Sequence, residues 1–223
     1  FGTDLRNRLG ADNAPIREDI ERLVGYVGLE FILNTVLSGD GTIYRAVAGD
    51  FVLAHRQGVA YARQVYAVPS QVQADVVLAS SYPADLDFWQ AGKALYSGEL
   101  LLRDGGTLIL VTPCPEGVVH NHDLLEYMRF SPAELLGQLR SFEAQDRAAA
   151  AAALRVGLVT ERVKVVVVSD GLRRADAAGL GFAHADDLQQ AVDEALEAHG
   201  PGCKVSVLTH GGDVFPEPMR ADA

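Results

Sequence analysis

The chain has 223 residues, 48% of them hydrophobic, which is enough apolar material for a core and perhaps for two lobes. Its formal net charge is −11, from 19 basic and 30 acidic side chains, which repels nucleic acid and anionic membranes, and no basic patch offsets it. No apolar run approaches the roughly 20 residues that span a bilayer, and no signal peptide is visible.

Cys114 and Cys203 are the only cysteines and lie far apart, so two free thiols in a reducing cytoplasmic setting are expected rather than a disulfide framework. Residues 1–13 are polar and glycine-containing and read as a loop or a connection cut from something larger. Pro15 suits the first turn of a helix running to about Tyr26, with Ile16, Ile20, Leu23 and Val24 on its apolar face. Residues 31–37 and 43–47 are strand-like, and Ser38-Gly39-Asp40-Gly41 between them reads as a hairpin turn. That loop lacks the further oxygen ligands and terminal glutamate of a calcium site. Asp50 is placed to cap a second helix reaching about Val65. A helix–hairpin–helix of this size is a poor independent domain, and residues 1–67 make better sense as the tail of a preceding one.

After Val68-Pro69-Ser70 the pattern changes. Strand-like runs recur at 74–79, 107–112, 163–169 and 205–209, separated by helical stretches at 86–96, 122–129, 132–140, 144–156 and 186–199. Ser131-Pro132-Ala133-Glu134 is a capping box with proline at the first helical position. The alanine run 148–153 reads as a tightly packed helix. Strands alternating with helices predict an α/β fold, a doubly wound and mainly parallel sheet with flanking helices, over residues 68–223. Residues 177–182 lack the third glycine of a dinucleotide fingerprint and do not open from a strand, and no P-loop is present.

Residues 80–95 carry the most functional information. They follow the apolar run 74–79; Tyr82-Pro83 ends that strand, Asp85 is a plausible N-cap, and the pattern turns helical. Gln90 and Lys93 lie three apart and share a helix face near its start. A strand–loop–helix puts such residues at the carboxyl end of the strand, where open α/β sheets bind ligands. A lysine there holds a carboxylate, and a glutamine pairs with a hydroxyl; the alternative is plain solvated surface.

Other polar residues have bland competitors. Glu116, after the 107–112 strand, faces either the same crevice or solvent. Cys114 reads as a small buried thiol, because no histidine–acid pair around it follows from sequence. His120 and His122 flank one residue and point in different directions, and two ligands seldom make a metal site; Asn121 as a helix cap is the simpler reading. Arg56 is placed either to close the crevice over an anion or to form an exposed basic pair with His55. His184, His199 and His210 are isolated in sequence; His199-Gly200 reads as a helix C-terminus with a left-handed glycine cap and an imidazolium favouring the dipole.

An ordered series of motifs runs through the chain: Asn13-Ala14-Pro15-Ile16-Arg17-Glu18-Asp19-Ile20, Phe31-Ile32-Leu33-Asn34, Ala48-Gly49-Asp50 and Ala54-His55-Arg56. It continues with Tyr82-Pro83-x-Asp85, Trp89-Gln90-x-x-Lys93-Ala94-Leu95, Gly105-Gly106 before Leu108-Ile109-Leu110-Val111, and Cys114-Pro115-Glu116-Gly117. The series resembles the nickel-dependent lactate racemase family, over its second half. The resemblance implies a longer protein of two α/β domains with the active site between them. It implies a nickel-pincer nucleotide attached to residues outside this chain, with neither catalytic residue nor metal ligand supplied here.

The function implied is that of the C-terminal half of a 2-hydroxyacid racemase or epimerase. In that family, racemisation resembles a hydride shuttle through a flat keto acid, and the second domain orients the substrate carboxylate and hydroxyl. By resemblance Lys93 and Gln90 contact the substrate with Trp89 beside them, while Tyr82, Glu116 and Arg56 border the crevice. The implied partners are a small 2-hydroxy carboxylate and the missing N-terminal domain, with neither nucleic acid nor membrane. Trp89 stands where a tyrosine is usual and Ser80-Ser81 replaces a glycine-containing approach, so lactate itself is not implied. The alternative is a non-catalytic ligand-binding or interaction protein that kept the scaffold and lost the nickel chemistry.

Overall fold

A computed structural model describes residue 11 and residues 14–70, 73–119 and 121–218. The chain divides into two compact units, the first ending at Val68 and the second beginning at Pro69.

In the first unit, α1 (Pro15–Val27) starts with proline in its first turn and ends at Gly28 in the left-handed conformation. Strands β1 (Ile32–Leu37) and β2 (Ile43–Gly49) pair antiparallel around a turn closed by the Gly41 N–H donating to the Ser38 carbonyl. Asp40 accepts from the Thr42 N–H and hydroxyl, which is ordinary turn chemistry. Asp50 caps α2 (Phe51–Tyr66) by accepting from the Val52 and Leu53 N–H groups. The expected apolar face of α1 is present but uncovered: no α1 residue is buried, and Leu23 is 49% exposed.

Strand β3 (Ala67–Ser70) leads into the second unit, whose elements are β4 (Ala74–Ser80), α3 (Phe88–Glu99), β5 (Leu102–Val111), α4 (Leu124–Tyr127), α5 (Pro132–Ser141), α6 (Arg147–Arg162), β6 (Lys164–Val168), α7 (Arg174–Gly179), β7 (Ala183–Ala185), α8 (Leu188–His199), β8 (Val205–Leu208) and β9 (Phe215–Pro218). Five strands form one sheet in the order β7-β6-β5-β4-β8, every pairing parallel. One face, with Val77, Ala79, Leu108, Leu110, Val165 and Val167, packs into a large core with residues of α3, α5 and α6. The other face, with Val76, Ile109 and Val166, packs on Ala191 and Ala195 of α8. This is the doubly wound α/β fold that the strand–helix alternation predicts. No helix among the described residues is long and apolar enough to cross a membrane.

Several boundaries differ from the sequence reading, each for a physical reason. The N-cap of α3 is Asp87, which accepts from the Gln90 N–H at 2.8 Å, and not Asp85. β5 begins at Leu102 because Gly105 and Gly106 sit inside the strand at a register irregularity, not before it. The expected helix at 122–129 is the single turn α4; its start is Asp123, and Asn121 caps nothing. Gly200 has positive φ but an extended ψ, so it is not a left-handed helical cap. His199 Nδ1 lies 3.3 Å from the Arg103 guanidinium and Nε2 2.9 Å from Thr107 Oγ1, so the ring is tied to β5. The capping box at Ser131 and Glu134 is present in full, and Ala149, Ala150 and Ala153 are completely buried in α6.

Candidate functional site

Strand order fixes where a crevice forms. From β4 the chain crosses through α3 to β5 on one side, while β8 arrives on the other side after α8, which lies on the opposite face. The loop leaving β8 returns to the α3 face, where the Ser97 hydroxyl donates to the Val214 carbonyl, so the loops after β4, β5 and β8 meet at the carboxyl edge of the sheet, the edge at which open α/β sheets bind ligands.

The loops there are tied together by backbone hydrogen bonds. After β5, the Cys114 and Glu116 N–H groups donate to the Asp85 and Leu86 carbonyls, while the Phe88 and Trp89 N–H groups donate to Gly117 and Val118. After β8, Gly211 N–H donates to the Ser80 carbonyl and Gly212 N–H to Tyr82. After β6, Gly171 N–H donates to the Pro113 carbonyl. A Cβ on Gly171 would lie 1.9 Å from the Cys114 carbonyl oxygen, so only glycine permits this approach. Beneath the loops, the buried Ser81 hydroxyl donates to Thr112 Oγ1 at 2.7 Å, and Thr112 Oγ1 is 3.0 Å from Cys114 Sγ.

On this platform α3 presents two faces. Phe88, Ala91, Ala94 and Leu95 are buried; Gln90 is half-buried and Lys93 is exposed on the outward side. Among the described residues none gives the Lys93 side chain a hydrogen bond or an ion pair. The first N–H groups of α3 are all spent on Gly117, Val118 and Asp87, so they leave no amide for an anion. Any negative charge at this end of α3 must be met by a side chain, and Lys93 is the cation on that face.

The remaining candidates fall as follows. Trp89 packs against the core and stacks on His122, with ring centroids 4.4 Å apart. Tyr82 is 54% exposed and meets the His210 ring edge-on at 5.1 Å, where the β4 and β8 loops join. Glu116 is exposed in the loop after β5. Arg56 belongs to the first unit, where it pairs with Glu21 at 3.1 Å. His55 is half-buried, its Nδ1 buried without a partner, and burial followed by the Arg17 charge pushes its pKa below the ordinary value. His120 lies outside the described residues. The Gly211-Gly212 pair and the Ser81–Thr112 contact escaped the sequence reading; a double glycine just after a terminal strand was the available signal for the first.

The described side chains offer no ligand set for nickel. Among the described residues no three His, Cys, Asp or Glu side chains cluster to bind a metal. Burial pushes the Cys114 thiol up to about 11, so it stays protonated near neutrality. His122 Nδ1 is engaged by Asp146 at 2.9 Å.

Comparison with known proteins agrees with this architecture. Residues 69–215 match the family described as the lactate racemase C-terminal domain. A lactate racemase of Thermoanaerobacterium thermosaccharolyticum is 32% identical over 108 residues, 48% of this chain and 25% of that protein. A lactate racemase of Lactiplantibacillus plantarum is 27% identical over 209 residues, covering 88% of this chain and 47% of its own length. The chain thus spans at most about half the length of these curated relatives. The lactate racemase apoprotein structure from T. thermosaccharolyticum superposes with a TM-score of 0.84 at 24% identity, over 97% of this chain and 53% of that one. A Thermotoga maritima protein superposes at 0.65 with 14% identity, over 94% and 55% of the two chains. Over its second unit this chain belongs to the lactate racemase C-terminal domain family.

Proposed function

We propose that this chain is the substrate-binding half of a nickel-pincer-dependent 2-hydroxyacid racemase or epimerase. The first unit would be the tail of a preceding cofactor-carrying domain, and the setting a reducing cytoplasm that keeps both thiols free. The observation that carries the proposal is Lys93, an exposed cation with no ion-pair partner among the described residues, on the helix that follows β4 in a domain of the lactate racemase C-terminal family.

In this reading the Lys93 ammonium holds the substrate carboxylate as a point charge, and the Gln90 carboxamide pairs with the hydroxyl. Fixing two substituents leaves the α-carbon one position, which removes the orientational part of the barrier. A fixed cation and amide dipole also favour negative charge on the oxygens as the carbonyl develops. The nickel-pincer nucleotide, held by residues outside this chain, would supply the hydride chemistry. Tyr82 and Glu116 border the site.

The test is Lys93→Ala in the complete enzyme, assayed as racemisation from each enantiomer. Loss of a charge-assisted contact should cost about 1.5–3 kcal/mol, roughly ten- to a hundredfold in kcat/KM. Gln90→Ala should cost less, because water replaces a neutral hydrogen bond in part. Neither change should move the melting temperature. Full activity in Lys93→Ala, or a loss matched by unfolding, would overturn the assignment. Binding of a 2-hydroxy acid without racemisation by the complete protein would favour the non-catalytic alternative.

A further inference from the structure

Trp89 is the only tryptophan in the chain, and its ring is held from outside α3. The His122 imidazole lies almost flat on the indole, with planes 12° apart. His122 itself is held, because its Nδ1 is 2.9 Å from Asp146 Oδ2. Asp146 is fixed twice more: Oδ1 accepts from the Ala149 N–H at the start of α6, and its own N–H donates to Tyr127 Oη. Burial alone would raise the Asp146 pKa, but hydrogen bonds from the Ala149 N–H, His122 and the Asp123 N–H together lower it. The carboxylate is therefore a steady acceptor for Nδ1–H, and the ring plane follows from that bond.

The indole packs against the core as well as against the histidine, so neighbours outside α3 fix its plane. Trp89 directly precedes Gln90 and lies one turn before Lys93 on α3. An indole offers a larger flat apolar surface than a phenol, so its orientation shapes whatever lies beside those two residues.

Resting on the substrate-site reading above, we propose that His122 is a positioning residue which, held by Asp146, locks the Trp89 indole as a flat wall of the 2-hydroxy acid site. The wall meets the substituent on the α-carbon, so it should matter more for a bulky apolar substituent than for a methyl group.

With a single tryptophan, fluorescence of this chain reports the stack directly. His122→Ala should shift the emission to longer wavelength and raise acrylamide quenching by about two- to threefold, since an aromatic partner no longer covers the ring. Asp146→Asn keeps a competent helix cap, so it tests the charged link without unfolding α6, and it should move emission in the same direction. His122→Phe should restore the shielding. In the complete enzyme, His122→Ala should raise KM about three- to tenfold for 2-hydroxy-4-methylpentanoate. The rise should be smaller for lactate, and kcat should change little. A purely structural role would not separate the two substrates.

Emission and quenching unchanged in His122→Ala would overturn the stack. Equal KM effects on both substrates would overturn the wall. A silent Lys93→Ala alongside a shifted His122→Ala emission would leave the stack standing and remove the ligand site beneath it, which separates the two failures.

Discussion

The two units use similar elements and reach opposite ends of the burial scale. Among the described residues of the first unit only Val36, Val47 and Ala54 are buried, while Tyr26, Val27, Phe31, Leu33 and Ile43 are each more than 60% exposed. The second unit buries both faces of its sheet and completely encloses Val76, Val77, Leu95, Leu108, Ile109 and Leu110. Local structure is therefore not the difference, since both units have capped helices and paired strands. A helix and a hairpin gain stability only by covering apolar surface, and each fully buried Leu or Ile is worth about 1.5–3 kcal/mol.

The largest expected effect follows from cutting the chain at Val68/Pro69. The piece from Pro69 onward should melt cooperatively with a native α/β circular dichroism spectrum. The piece ending at Val68 should show no cooperative transition, because its few buried side chains cannot offset the entropy of ordering. A sharp thermal transition in the isolated first unit would break the comparison.

Glycines sharpen it at the next level. In the second unit, Gly171→Ala drives a Cβ into the Cys114 carbonyl, and the loops after β5 and β6 must separate. A loss of about 3 kcal/mol or more is expected by denaturant titration. In the first unit, Gly25 lies inside α1 with nothing within 4 Å of a new Cβ. Gly25→Ala should slow hydrogen exchange in α1, reflecting a gain of about 0.5–1 kcal/mol. Similar effects at both positions would mean the loop platform yields more easily than its contacts imply.

What sequence conveys and what it hides divide along the same line. Period and caps are local, so the hairpin, α1, α2, the alternating strands and the Ser131–Glu134 box were legible. Gln90 and Lys93 share a face by spacing alone, and in α3 they do lie on its outward side. The N-cap slipped from Asp85 to Asp87 because both residues have the chemistry, and backbone bonds to the loop after β5 decide between them. The short elements α7 and β7 carry too few residues to display a period. Contacts between distant loops left little sequence signal: the Trp89–His122 stack, the Ser81–Thr112 bond and the approach of Gly171 to Cys114 exist only once the sheet has assembled.

The smallest expected effect compares two carboxylates. In the second unit Asp75 Oδ2 accepts from the Lys204 N–H at 2.6 Å, and Oδ1 from the Arg103 guanidinium. The Lys204 amide first, and Arg103 next, hold its carboxyl below the ordinary range. In the first unit burial pushes Glu21 up, but hydrogen bonds from Arg17 and Arg56 and their charges outweigh it, and its pKa is lowered too. A lowered folded pKa gives the same sign for both. The stabilising contribution is complete above the unfolded value near about pH 4 and disappears as pH falls through the folded one. Salt should tell them apart. Both cations around Glu21 sit on helices of the little-buried first unit, where added ions screen charge, whereas the main hold on Asp75 is the backbone N–H of Lys204 just before β8. Asp75→Asn should lower the melting temperature at neutral pH by an amount that persists in high salt and closes below about pH 4. Glu21→Gln should speed exchange of the α1 amides at low salt and lose most of that effect at high salt. An Asp75→Asn gap that vanishes with salt would show that the second unit, too, depends at this position on exposed charge rather than on its folded backbone.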